Sequence, residues 1–337
     1  MTKIIITAAD IGRRMDKFLL AYLNGATRSL IYKLLRKKRI KFNGKRAEGG
    51  ELLQAGDTIE FHLSQETLAS LRSEGALPDG KAMPLGDEFP SSSNKAAQQH
   101  KPRLRGNGIT PYDYELPPII FEDENLLIID KPAGMASHGG MKSNTPHLLA
   151  RVLKYLQQKG DYPPGATFTP ALCNRLDVNT SGLVICGKNY QALRAMNTLF
   201  ASPGAIEKQY LAVVEGELTG SARLLGHYFK DARTNTVRIT QDDKPPQAIT
   251  QYTSLAVSDG CSLVSVNPIT GRSHQIRAHL AAVGHPLVGD KKYGGKPAHN
   301  MQGQRLHCNI LRLAKPFLDY PIGTSWVAEP PEGFFVY

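Results

Sequence analysis

Residues 174–182 read Asn-Arg-Leu-Asp-Val-Asn-Thr-Ser-Gly, between the loop-like stretch TFTPALC at 167–173 and the apolar run LVICGK at 183–188. A short apolar run bounded by turn residues reads as a buried strand. The nonapeptide is therefore a turn that delivers the chain into a sheet. It carries one acid, Asp177, among amide and hydroxyl side chains. Two readings are open for that acid: an Asx turn in which it caps backbone groups, or a reactive carboxylate on a loop at a sheet edge, where functional groups concentrate.

Strand signals recur on both sides of this turn, in IIFED (119–123), NLLIID (125–130), KQYLAVVEG (208–216) and SLVSVNP (262–268). Helical periodicity marks HLLARVLKYLQQKG (147–160) and NYQALRAMNTLFAS (189–202). Strands outnumber helices and lie in adjacent runs, which predicts an α+β domain over 116–337, built on a mixed, largely antiparallel sheet.

A second chemical feature is TGRSHQIRAHLAAVGHPLVG at 270–289, a basic turn entering a short helix with Arg272, His274, Arg277 and His279 in its first half. It reads either as a helix start with solvated basic side chains or as an anion site, because positive charge at that end opposes the helix dipole and calls for a compensating anion. A phosphate of a bound partner or Asp177 would serve. His274 and His279 are five residues apart, off the spacing that puts two rings on one helical face, so no metal site is expected. The chain contains no GxxxxGK[ST], GxSxG, HExxH or GxGxxG motif, which excludes the usual signatures of nucleotide, serine-hydrolase, zinc-protease and dinucleotide chemistry.

The chain has 337 residues, enough for two units, and a formal charge of +11. Residues 1–63 hold 13 Lys and Arg against six acids, so +7 of that excess sits in this first zone. There Thr27 or Ser29 is placed to cap a helix through SLIYKLLRKK, whose Leu30, Ile31, Leu34 and Leu35 form an apolar face, leaving Arg28, Lys33, Arg36 and Lys37 outward. IKFNGKR follows as a strand with an Asn43-Gly44 turn, and GDTIEFHL as another strand. A charge run on a helix is usually a solvated face, but one of nearly a single sign suits a polyanionic partner. Residues 64–115, rich in Ser, Gly, Pro and Lys, read as a mostly disordered tether in which KPRLR at 101–105 could touch phosphate. No signal peptide or membrane-length apolar run is present, and the four cysteines (Cys173, Cys186, Cys261, Cys308) are widely spaced, which points to the reducing cytosol.

Two resemblances join these features. GRRMDKFL (12–19), TRSLIYKLLRKKRIKFNGKR (27–46) and AGDTIEF (55–61) resemble the S4 RNA-binding module, a small α/β fold. The chain departs from it at Lys38, where the module usually has glycine and where a left-handed backbone costs a lysine something. FEDENLLIIDKPAGMASHGG (121–140), the acid loop, KQYLAVVEG and TGRSHQIRAHLAAVGHPLVGDKKYGG (270–295) resemble, in order and spacing, the RluA family of RNA pseudouridine synthases. With the S4-like front end the architecture looks like the family's ribosomal large-subunit branch. One departure is Asn174, where the family usually has His.

The resemblance implies a pseudouridine synthase fold and a cofactor-free reaction that cuts the uracil N1 to ribose C1′ bond, turns the base and rejoins it through C5. It implies Asp177 as the essential acid, either nucleophile at C1′ or base at C2′, and Arg277 as its ionic partner, which favours the charged carboxylate. Tyr210 matches the aromatic that stacks on uracil and could help remove the C5 proton. Arg175 is expected to stabilise RNA opened by base flipping, Asn174 to alter RNA contacts, and Arg272 and Lys131 to meet phosphate. The partner is RNA, expected to be 23S ribosomal RNA, with no membrane and no obligate protein partner. Two rivals stand beside this: a non-catalytic RNA-binding or ribosome-assembly protein derived from the family, and a nucleoside hydrolase that uses Asp177 on the same bond.

Overall fold

Residues 1–72, 115–139, 146–231, 233–240, 245–297 and 303–335 are described by the computed structural model. The first unit comprises β1 (Thr2–Ile5), α1 (Met15–Tyr22), α2 (Arg28–Arg36), β2 (Ile40–Phe42), β3 (Lys45–Arg46), β4 (Thr58–Phe61) and α3 (Gln65–Leu71). Its strands form one antiparallel sheet in the order β1-β4-β2-β3.

Local chemistry sets these elements. The Thr27 hydroxyl accepts the Leu30 amide at 3.3 Å and starts α2, which buries Ile31 and Leu35 and leaves Arg28, Lys33, Arg36 and Lys37 exposed. The helix ends in a left-handed turn at Lys38 (φ 56°), where the amides of Lys38 and Arg39 donate to the carbonyls of Leu35 and Leu34 at 2.9 Å. Lys38 thus takes the left-handed backbone despite its side chain, at a cost of ~1–2 kcal/mol. Asn43 (φ 48°) and Gly44 (φ 74°) both take positive φ between β2 and β3, as a two-residue hairpin turn requires.

Helix α3 lies inside the stretch from residue 64 that the sequence marks as a tether, and so shortens it. Ser64 caps the helix through the Thr67 amide, and Leu68 is buried against the core of the first unit, with Leu71 packed beside it. Two leucines at helical spacing in a polar run are enough to dock one short helix on a core that already exists. The KPRLR segment at 101–105 lies outside the described residues.

The second unit is built on a long mixed sheet. Its elements are β5 (Ile119–Glu122), β6 (Leu126–Lys131), α4 (Leu148–Lys159), β7 (Ala171–Leu172), β8 (Ser181–Gly187), α5 (Tyr190–Ala201), β9 (Ile206–Glu215), β10 (Ser221–Asp231), β11 (Thr236–Thr240), β12 (Ala248–Ser258), β13 (Cys261–Pro268), α6 (Gln275–Ala282), β14 (Leu306–Leu313) and β15 (Ser325–Val327). The strand order is β11-β10-β12-β13-β9-β14-β8-β6-β5, with β15 beside β14 and β7 beside β8. Among the described residues the β14–β8 pair is parallel and every other pairing is antiparallel.

That parallel junction lies mid-sheet and positions the site. Gly182 of β8 stands opposite Lys131 on β6 and Cys308 on β14, and Cys308 stands opposite Tyr210 on β9. Gly182 has φ 109°, and a Cβ there would lie 2.3 Å from the Cys308 carbonyl oxygen, so only glycine lets the strands approach. One core cluster joins β6 and β8 to α4 and α5 through Leu127, Ile129, Val184, Leu148, Val152 and Met196. Another joins β9 and β13 to α6 through Val214, Val264, Val266, Ile276 and Leu280.

The units meet where the Arg13 guanidinium donates to the Thr167 carbonyl at 2.7 Å and stacks on Tyr190, against the loop that leads to Asp177. No helix among the described residues is long and apolar enough to cross a membrane.

Candidate active site

The acid loop is pinned from both sides. Ser137 bridges the Leu176 backbone, its hydroxyl donating to the carbonyl at 2.9 Å and accepting from the amide at 3.2 Å. Gln304 donates to the Thr180 hydroxyl at 3.0 Å. Asp177 does sit in a turn, its carbonyl accepting the Thr180 amide at 3.0 Å. Among the described residues its carboxylate does not act as the cap: it accepts from Arg277 Nη1 at 2.8 Å. The backbone is a turn, and the side chain is left for other work.

Arg277 lies on the buried face of α6 and spans two acids. Nε and Nη2 grip Asp290 at 2.7 and 2.8 Å while Nη1 reaches Asp177. Burial opposes a charge here, yet the hydrogen bonds and charges of Asp290 and Asp177 outweigh it and hold the guanidinium above its ordinary value. The anion demanded at the start of α6 is therefore carboxylate. Gln275 locks the preceding turn, accepting from the Thr270 hydroxyl and the Arg272 amide and donating to the Ile249 carbonyl and Thr250.

Asp177, Arg277 and Tyr210 line one cavity of about 1280 Å³. Burial and the neighbouring Cys308 thiol push the Tyr210 hydroxyl well above its ordinary value, so the phenol stays protonated. Two residues back along β9, and so on the same face of the strand, Lys208 lines the cavity half-buried, its ammonium disfavoured by burial. Arg175 and Arg272 are exposed on the cavity lining, with Lys291 and Lys292 beyond them. Lys33, Arg36 and Lys37 belong to the first unit and form an exposed basic face outside this cavity; Arg28 beside them stands 3.8 Å from Asp16.

Two expected RNA contacts need correction. Lys131 is fully buried and donates to the carbonyls of Pro132, Met135 and Val178 at 2.8–3.1 Å. Burial lowers its pKa to about 8. With three donors satisfied and no exposed surface it cannot reach a phosphate; it ties residues 132–135 to the acid loop. Asn174 lines the cavity, but its amide donates to the Leu183 carbonyl at 3.1 Å and accepts the Ile185 amide at 2.8 Å. The Cys173 amide already pairs with the Ile185 carbonyl. The Asn174 side chain thus imitates one more peptide on the β7–β8 ladder.

The two histidines of the basic turn diverge. His279 is buried, its Nδ1 2.7 Å from the Thr250 hydroxyl, while His274 faces the cavity 3.7 Å from Asp177. Asp290, Tyr293 and Lys208 were not singled out from the sequence. Asp290 had one signal, a lone acid between an apolar strand-like run and two lysines.

Comparison with known proteins matches this geometry to chemistry. A family model for RNA pseudouridylate synthases covers residues 125–282, and the S4 domain model covers 13–59. The ribosomal large subunit pseudouridine synthase C of Vibrio vulnificus (strain CMCP6) is 30% identical over 331 residues, spanning 95% of this chain and 92% of that protein. The chain belongs to the RluA family of RNA pseudouridine synthases. Its Escherichia coli (strain K12) relative of the same name is 30% identical over 87% of this chain and 80% of its own length. In fold, the synthase resembles the solved structure of human RNA Pseudouridylate Synthase Domain Containing 4, with a TM-score of 0.50 at 23% identity over 64% of this chain and 89% of that one.

Proposed function

We propose that this synthase converts uridine to pseudouridine in large-subunit ribosomal RNA, in the cytosol, with Asp177 as the essential acid. The arrangement that carries the proposal is the bridge from Asp290 through Arg277 to Asp177, in a cavity that Tyr210 shares. A carboxylate fixed by one guanidinium arm, with its other oxygen left without a hydrogen bond among the described residues, presents a lone pair to ribose C1′ or to the C2′ proton.

The remaining groups divide the work. The Tyr210 ring stacks on the detached uracil, for ~1–3 kcal/mol, and its protonated hydroxyl donates hydrogen bonds rather than acting as a strong base. Arg175 and Arg272 neutralise phosphates around the flipped nucleotide, whose extraction from a stem costs a few kcal/mol. The exposed basic face of α2 holds RNA farther from the chemistry. The four cysteines are free thiols, in keeping with a reducing compartment.

The test is to incubate the protein with a large-subunit RNA transcript. Rearrangement leaves RNA mass unchanged and creates pseudouridine at discrete positions. Release of free uracil would assign hydrolysis, and binding without either product would assign a non-catalytic role.

A further inference from the structure

Resting on the reading of Asp177 as the essential acid, we propose that His274 is a positioning residue for it: the ring is held in one tautomer by Tyr293 and presents Nε2–H to the Asp177 carboxylate as a second donor beside Arg277.

The donors and acceptors around the ring suit this tautomer. The Val237 amide, on β11, donates to Tyr293 Oη at 2.8 Å, and the same oxygen lies 3.0 Å from His274 Nδ1. The phenol has one hydrogen, and among the described residues Nδ1 is the acceptor recorded for it. In the proposed tautomer Nδ1 accepts that hydrogen and the ring proton sits on Nε2, which stands 3.7 Å from Asp177 Oδ2. That gap is longer than a hydrogen bond, as catalytic contacts often are before substrate closes the site.

The backbone supplies an independent sign. His274 is the N-cap residue of α6 with φ 54°, a left-handed conformation that only a few per cent of residues other than glycine adopt. Its side chain forms no capping bond and turns to Tyr293 instead. Strained residues that forgo the local bond their position offers collect at active sites. Tyr293 also stacks edge-on to His274, with ring centroids 5.8 Å apart, and holds the Arg277 guanidinium 5.0 Å above its ring. One tyrosine thus orients both groups that flank Asp177.

The charged groups facing the imidazole are Asp177 from the acid loop, Arg277 from α6, and Asp290 and Lys292 from the turn beyond it. Burial, the largest influence, lowers the His274 pKa, and Arg277 and Lys292 act the same way against the two acids, so the ring is neutral near pH 7. A neutral ring with Nε2–H toward the carboxylate orients Asp177 without quenching its charge. An imidazolium would form an ion pair with it and weaken it as nucleophile or base.

The test compares wild type, His274→Asn, Tyr293→Phe and Asp177→Asn, reading tritium release from RNA carrying C5-tritiated uridine under single-turnover saturation, with RNA affinity and melting temperature alongside. Asn tolerates the left-handed backbone but is too short to replace Nε2. His274→Asn is expected to lower the saturated rate by about tenfold to a hundredfold, with RNA affinity and melting temperature close to wild type. Tyr293→Phe removes the phenol that holds the tautomer and should lower the saturated rate in the same direction as His274→Asn but by less, with RNA affinity again close to wild type. A wild-type rate in His274→Asn, a loss confined to RNA affinity, or a wild-type saturated rate in Tyr293→Phe would each overturn the role of His274. Asp177→Asn separates this outcome from the wider reading: activity in that variant sinks the essential acid itself, whereas an inactive Asp177→Asn beside a wild-type His274→Asn removes only the histidine.

Discussion

Arg277 and Asp290 form a two-point pair, 2.7 and 2.8 Å long and almost wholly buried, directly behind the carboxylate of Asp177. The pair fixes the guanidinium plane and so decides where its remaining arm meets the acid. Asp290 touches no reacting atom in this account, yet the placement of Asp177 runs through it.

Replacing Asp290 with Ala leaves Arg277 buried with one carboxylate in place of two. Breaking a buried pair from one side costs ~3–5 kcal/mol, so urea unfolding should show a loss of that order. Asp290→Asn keeps the shape and one acceptor and should lose less stability, while the saturated rate still falls because the guanidinium loses its second anchor. A variant that keeps full rate would show that Arg277 needs no fixing.

Asn174 yields a prediction that differs from the one its sequence context suggested. With both amide ends spent on the β8 backbone, Asn174→Ala leaves a strand carbonyl and amide without partners, at ~1–3 kcal/mol each when buried. Chemical denaturation should register that loss, with RNA affinity nearly unchanged. Asn174→His should restore stability only insofar as its ring reaches both groups. A weakened RNA affinity at undiminished stability in Asn174→Ala would return the residue to the RNA surface.

The contrast shows what was legible beforehand. The strand after Asp177, the cap at Thr27 and the Asn43-Gly44 hairpin follow from local pattern, and each is present. The association of Asp177, Tyr210 and Arg277 came through ordered motifs, since no local rule brings together residues 100 positions apart. Lys131 and Asn174 misled because residue type announces charge or polarity but not which way the strand faces. Lys131 falls on β6, between strands on both sides of the sheet, where its ammonium turns to three carbonyls. Helix α3 escaped notice because its two docking leucines sit in a composition typical of linkers.

The exposed basic face of α2 predicts a salt effect separable from catalysis. Each phosphate contact adds roughly 0.7–0.9 log units of affinity loss per log unit of salt. The triple variant Lys33→Gln, Arg36→Gln, Lys37→Gln should flatten the slope of log affinity against log salt by about two units, leaving the saturated rate intact. An unchanged slope would remove this face from the RNA footprint.

Buried His279 predicts acid sensitivity. Burial depresses its pKa from 6.5 to about 4, so the unfolded chain binds a proton at pH values where the folded one does not. Stability from this group is therefore complete above pH 6.5 and falls as pH drops from 6.5 toward 4. Urea midpoints measured across that window should decline in wild type and decline less in His279→Gln, whatever that variant's absolute stability. Parallel slopes would mean that His279 protonates freely in the folded protein.

The central claim is that Asp177 makes this protein a pseudouridine synthase, and position-resolved pseudouridine mapping of total RNA from cells carrying either wild type or Asp177→Asn tests it most directly. One or more sites in large-subunit ribosomal RNA should vanish in the variant while the protein level holds. If every site persists, Asp177 is not the essential acid.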